Sequence, residues 1–199
     1  MTGGKKLVLA SSSPTRARLL RDAGVPAEAV RPDIDEEAVK RSLRADGIDG
    51  VALAGRLAEA KAQSVRAPGR LVLGADQVLL LGSRVFDKPA GRDEAAAQLA
   101  ALAGRTHRLV SAAVIAEDGA AVWSETDEAR LTVRKLSDVF IEAYLDRIGG
   151  DAFAGPGAYR VEGLGIQLFE RIEGAHATIL GLPLLPLLAY LRRRGAIAE

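Results

Sequence analysis

Residues 71–89, LVLGADQVLLLGSRVFDKP, place an acid and a lysine on the two arms of one turn. An apolar run halts at Gly74-Ala75, presents Asp76 and Gln77, resumes as VLLL, reverses through Gly82-Ser83 and reaches Lys88-Pro89. A carboxylate that can take a proton, beside a cation that can hold negative charge, is the pairing phosphate chemistry needs. Asp76 is therefore the expected chemical centre, with other segments supplying substrate contacts around it.

A second candidate lies near the start. KLVLA (residues 6–10) reads as a short buried strand running straight into Ser11-Ser12-Ser13-Pro14. Serine before proline marks a helix start, with Ser13 as N-cap and Pro14 as the first helical residue. Leu19, Leu20 and Ala23 form its inward face and Gly24 closes it. A strand, a hydroxyl-rich turn and a helix N-terminus make an anion site from free N–H groups and the helix dipole. Arg16 in the first turn would add a fork of donors. Two readings stand at this point, a phosphate site or a capped helix with a solvated arginine.

The remaining segments must position these groups. Residues 26–37, PAEAVRPDIDEE, read as an acidic, proline-broken surface loop. Its Asp33, Asp35 and Glu36 are hard oxygen donors of the kind that hold magnesium or manganese, or else a solvated acidic turn. Residues 50–67 read as an alanine-rich helix with Leu53, Leu57, Ala60 and Ser64 on one face; Lys61 then points to water or to the site. Residues 92–103 form a helix with acids in its first turn. Strands 106–116 and 120–133 meet at Asp118-Gly119, a hairpin signal. His107 opens the first of them as a strand residue, and Trp123 packs on a sheet face. A helix follows from Ser137 to Ile148. Residues 149–173 are glycine-dense, which suits an irregular loop or a close backbone approach to a ligand, leading to a strand over 165–172. A helix over 181–194 ends in three arginines that complement its C-terminus.

Composition excludes several classes. A formal charge of +1 does not supply the basic face that binding to nucleic acid through phosphate neutralisation requires. With no cysteine, neither a disulfide framework nor a thiolate metal site is possible. No apolar stretch has the length to span a membrane, and the expected location is cytoplasmic. The absence of GxxxxGK[ST] argues against a P-loop enzyme. Strands alternating with helices, then a meander and a final helix, predict an α/β fold with a mixed twisted sheet. The whole of 1–199 is expected to be a single domain of two lobes sharing that sheet.

LVLASSSPTRARLLRDAGV, LGADQVLLLGSRVFDKP, AGPGAYRVEGLGIQLFERIEG and GLPLLPLL, in this order from about Leu7 to Leu191, closely resemble the Maf family of nucleoside triphosphate pyrophosphatases. The resemblance implies an elongated mixed α/β sheet flanked by helices with a cleft between two lobes, like that of the inosine-triphosphate pyrophosphatases. It implies hydrolysis of a nucleoside triphosphate between the α and β phosphates with Mg2+ or Mn2+, and a possible homodimer. Asp76 matches the family's catalytic aspartate, which also stands at the metal. Ser13, Arg16, Lys61 and Lys88 match phosphate contacts, and Glu36 matches an acidic metal ligand. Three further positions resemble markers that divide the family by substrate. The pyrimidine branch, acting on dTTP and UTP, carries arginine, threonine and glutamine there, and the 7-methyl-GTP branch carries tryptophan, glutamine and glutamate. This chain has Thr15, Gln77 and Glu162. Two of these side with 7-methyl-GTP; Thr15 matches neither. A carboxylate at Glu162 suits a purine, because it accepts from the guanine N1–H and amino group. The family's association with septum formation leaves a second class of reading, a nucleotide-binding regulator without turnover.

Overall fold

Short apolar stretches with no polar interruption build the centre of the sheet. In the computed structural model, which describes residues 6–198, β1 (Leu7–Ala10) is buried along its whole length. It is flanked on both sides by parallel partners, β2 (Ala27–Val30) and β3 (Leu71–Leu81), with Leu7 opposite both Ala27 and Leu71. A parallel strand covered on both faces has no need of polar alternation, which is why LVLA and LVLGA read as continuous apolar runs. β3 continues into an antiparallel hairpin with β4 (Arg84–Phe86) across the Gly82-Ser83 turn, pairing Leu79 with Phe86. β5 (Thr106–Glu117) and β6 (Ala120–Val133) come next, joined at Asp118 and Gly119, whose φ angles of 49° and 85° are left-handed. β7 (Phe169–Glu173) lies antiparallel to β6, with an irregularity between Thr132 and Val133. The sheet is mixed and seven-stranded, in the order β2-β1-β3-β5-β6-β7 with β4 on β3.

Two compact units divide the chain, and their boundaries fall inside β3, β5 and β6 and just after β7, between Gly174 and Ala175. The first comprises the chain up to Gln77, Val110–Asp127 and the chain from Ala175 onward. Its helices are α1 (Pro14–Asp22), α2 (Glu36–Ala45), α3 (Gly50–Ser64), the short α6 (His176–Ile179) and α7 (Leu184–Arg193). Leu7, Leu9, Leu71 and Leu73 of the strands pack with Leu20 of α1 and Leu187, Tyr190 and Leu191 of α7. Trp123 stacks on Tyr190 at 5.1 Å between ring centroids, the sheet-face packing expected of it. Arg194 pairs with Glu117 at 2.6 Å and donates to the Tyr190 hydroxyl, tying the end of α7 to β5 within this unit.

The second unit is Val78–Leu109 with Glu128–Gly174. It holds α4 (Arg92–Leu102), α5 (Asp138–Ile148) and two 3-10 turns, Gly149–Phe153 and Leu164–Leu168.

The structure corrects three sequence expectations. Residues 26–37 are not one loop: they contain β2 and the start of α2. The side chains of β2 are largely exposed, so its backbone pairing to β1 left no hydrophobic signature. The strand expected over 165–172 begins only at Phe169. Gly165 sits against the Arg160 backbone, where a Cβ would lie 2.8 Å from Arg160 N, and the chain turns there before extending. The buried stripe of α3 is Leu53, Ala54, Leu57, Ala58, Lys61 and Ala62, which turns Lys61 inward rather than Ala60 and Ser64. Among the described residues no helix is long and apolar enough to cross a membrane.

Candidate active site

The approach of α3 to β3 is set at Gly74. A Cβ at this position would overlap the Ala58 carbonyl oxygen and stand 2.5 Å from Ala62 N and 2.9 Å from Ala62 Cβ. The missing side chain lets α3 lie directly on β3, alanine against glycine. The same turn of α3 brings Lys61 to Asp76, two residues along β3 on the same face of the pleat. Lys61 Nζ lies 2.5 Å from Asp76 Oδ1 and 2.7 Å from Glu36 Oε2. Glu36 reaches this point from the first turn of α2, whose start is fixed by Asp35: its carboxylate accepts from Ala38 N at 2.9 Å.

Arg16 approaches the same carboxylates from α1. Ser13 is the N-cap and Pro14 the first helical residue, as the sequence predicts; Ser13 Oγ accepts from Arg16 N at 3.3 Å. The Arg16 Nε donates to the Gly181 carbonyl at 2.8 Å. Gly181 has φ 96°, and a Cβ there would come within 3.2 Å of Arg16 Nη2. Glycine at 181 therefore leaves room for the guanidinium as well as permitting the turn.

Electrostatics follow from burial. Asp76 is only 6% exposed. Withdrawal from water pushes its carboxyl above the usual range, with Lys61 and Arg16 pulling the other way. Withdrawal from water also lowers Arg16, which Asp76 and Glu36 partly offset. Two carboxylates and two cations thus form one cluster in the first unit. A buried base raised in this way binds a proton more readily than an ordinary carboxylate.

The sequence-predicted residues divide accordingly. Ser13, Arg16, Glu36, Lys61 and Asp76 come together in the first unit. Thr15 lies in the first turn of α1, half-buried. Gln77 is next to Asp76 in the chain, but strand alternation turns it to the opposite face. There its Nε2 donates to Ser111 Oγ at 2.9 Å, Thr178 O at 2.9 Å and Ile179 O at 3.0 Å, closing the end of α6. Lys88 is exposed after β4, and Glu162 pairs with Arg160 at 3.1 Å; both belong to the second unit. Asp33, Asp35 and Glu36 are not gathered as a ligand trio. Among the described residues no group of three His, Asp or Glu is placed to hold a metal ion. His107 is the strand residue expected. Sequence reasoning missed Gly74 and Gly181. The signal for the first was a glycine on β3 facing an alanine stripe at helical spacing.

Comparison with known proteins adds an independent finding. The family model described as Maf-like protein matches residues 6–194. A nucleoside triphosphate pyrophosphatase of Rhodopseudomonas palustris (strain BisB18) is 52% identical over 199 residues, covering 98% of this chain and 97% of its own. A 7-methyl-GTP pyrophosphatase of Mesorhizobium japonicum is 51% identical over 195 residues, covering 97% and 98%. A second protein of that name, from Rhizobium etli, is 50% identical over 194 residues, covering 96% and 98%.

Proposed function

The chain belongs to the Maf family, and from that premise we infer that it is a nucleoside triphosphate pyrophosphatase acting on 7-methyl-GTP or a related modified nucleotide, in the cytoplasm. The observation that carries this reading is the buried Asp76 carboxylate, held by Lys61 with Arg16 nearby. The names of the two 7-methyl-GTP relatives, together with Gln77 and Glu162, support the choice of base.

In this reading Asp76 accepts a proton from the attacking water. The water oxygen bonds to the α-phosphorus, and the bond to the α–β bridging oxygen breaks, its electron pair leaving with pyrophosphate. Arg16 and Lys61 balance the charge of the phosphates, and the N–H groups at the start of α1 provide further donors. A divalent metal fits the residues present. Asp76 and Glu36 already converge on one cation, the Lys61 ammonium. Two carboxylates, with phosphate and water completing the shell, form the set that magnesium favours. Bound there, Mg2+ or Mn2+ would supply Lewis-acid stabilisation of phosphate oxygens.

The test is a substrate panel: 7-methyl-GTP, GTP, dTTP and UTP with magnesium or manganese, products separated by anion exchange. The expected result is monophosphate plus pyrophosphate, fastest from 7-methyl-GTP. Preference for dTTP or UTP would move the chain to the pyrimidine branch. Nucleotide binding with no product under either metal would replace the enzyme by a nucleotide-responsive regulator.

A further inference from the structure

Side chains from three elements of the second unit converge on one short stretch of the glycine-rich loop, residues 157–159. From α4, Gln98 Oε1 accepts from Gly157 N at 2.8 Å. From α5, the Tyr144 hydroxyl donates to Ala158 O at 3.3 Å. From β5, His107 Nε2 lies 2.6 Å from the Tyr159 hydroxyl. The backbone they hold is not relaxed. Gly157 has φ 87°, and a Cβ there would stand 2.6 Å from the Tyr159 ring and 2.7 Å from Leu79 Cδ1. Ala158 adopts φ 58°, a left-handed conformation an L residue takes only when its surroundings impose it. Such conformations gather at sites where geometry is being fixed for a purpose.

Gln98 differs from the other two because both ends of its amide are in use. It is 3% exposed, and its Nε2 donates to the Asp87 carbonyl at 3.0 Å. Asp87 is the residue before Lys88. Glu94, one turn earlier on α4, holds the next residues by accepting from Ala90 N at 2.9 Å. The first turns of α4 thus brace the segment carrying Lys88, and the Gln98 amide ties that segment to the loop carrying Arg160 and Glu162. Leucine would fill the same volume; only an amide supplies a donor to one segment and an acceptor to the other. A buried amide with either end unbonded would be a liability, so its presence here marks a requirement for both bonds.

We propose that Gln98 is a positioning residue that fixes the Lys88 segment and the Glu162 loop relative to one another, so that phosphate affinity and base selectivity are set together. This rests on the pyrophosphatase reading above. It adds a determinant that touches neither phosphate nor base.

The experiment compares the parent with Gln98→Met, which keeps the shape and loses both bonds, and with Gln98→Glu, which keeps an acceptor for Gly157 N–H. Tyr159→Phe, which removes only the hydroxyl beside His107, is included in case Gln98→Met fails to fold. Three readouts are taken: amide hydrogen exchange, KM and kcat for 7-methyl-GTP and dTTP, and calorimetric affinity for the α,β-methylene analogue of GTP. Gln98→Met should speed exchange in residues 86–90 and 155–165 together. It should also raise KM and weaken analogue binding by about tenfold, narrow the preference between the two substrates and leave kcat nearly unchanged. Gln98→Glu turns an acceptor toward the Asp87 carbonyl and Glu94 Oε1, so it should loosen residues 86–90 while sparing 155–165, and Tyr159→Phe should loosen the loop and narrow the preference without loosening residues 86–90. In Gln98→Met, faster exchange confined to one segment, or loosening of both with unchanged KM, affinity and selectivity, would overturn the proposal, as would a Tyr159→Phe protein whose loosened loop leaves selectivity unchanged. Analogue binding by a parent protein that releases no pyrophosphate would defeat the hydrolase reading alone, because the affinity comparison still tests the coupling.

Discussion

Lys61 Nζ lies 2.5 Å from Asp76 Oδ1, and each side chain is only 8% exposed. Two charges withdrawn from water this far are stable only as a pair, and removing one leaves the other uncompensated. The pair also sets the proton affinity of the base. Burial raises Asp76, and Lys61 is the largest influence holding it down. Lys61→Met should therefore raise Asp76 further. Because the base works only when ionised, the acid limb of the kcat/KM profile should move to higher pH. A profile measured at fixed saturating metal checks this, and an unmoved acid limb would show that Asp76 is not the group that titrates.

Gly74 makes that pair possible by admitting α3. Gly74→Ala would force backbone away from backbone, which no rotamer change can relieve. The expected loss of stability is about 1–3 kcal/mol, read from urea unfolding, with a fall in kcat as Lys61 withdraws from Asp76. Full stability together with full activity would mean that α3 does not need this approach.

Gln77 allows its structural and selective roles to be separated. Its amide nitrogen serves two carbonyls at the end of α6 as well as Ser111. Gln77→Thr removes the donor to the Ile179 carbonyl, while Thr178 O keeps Ser111 Oγ at 2.8 Å, and should cost about 1–3 kcal/mol of stability. If selectivity among triphosphates shifts as well, the residue acts on the substrate; if only the unfolding midpoint moves, its role ends at α6.

His107 is buried, and burial alone lowers its imidazole from 6.5 to about 4. The unfolded chain takes up a proton near pH 6.5 and the folded one only near 4. The stability contributed by the neutral ring is thus complete above pH 6.5 and is lost as pH falls towards 4. The slope is about 1.4 kcal/mol per pH unit across that window. Urea unfolding at pH 7 and pH 5 should show this loss in the parent and not in His107→Gln, which offers Tyr159 a polar partner but has no proton to gain. Equal losses in both would remove His107 as the source.

Much of this arrangement was legible in the sequence because local chemistry declared it. Ser13-Pro14 announced a capped helix, Asp118-Gly119 a turn, and the apolar run into Asp76 a buried strand, although β3 runs on through the acid to Leu81. What was not legible depended on distant partners. β2 exists because β1 offers it a backbone edge, and its exposed AEAV carries no trace of that. Local pattern left Lys61 facing water or the site, and only the packing of α3 against Gly74 turns it inward. Gln77 sits beside Asp76 in the sequence, yet the pleat turns the two side chains to opposite faces. Asp35 resembled a metal ligand because an N-cap and a ligand call for the same carboxylate.

The central claim is that Asp76 is the base of a pyrophosphate-releasing hydrolysis, and the most direct test is Asp76→Asn assayed with 7-methyl-GTP and magnesium or manganese. The parent should yield monophosphate and pyrophosphate. The variant, shown by urea unfolding to be folded, should be slower by about 100- to 10,000-fold. Pyrophosphate release by Asp76→Asn at the parent rate, or diphosphate and orthophosphate as the parent's products, would contradict the account.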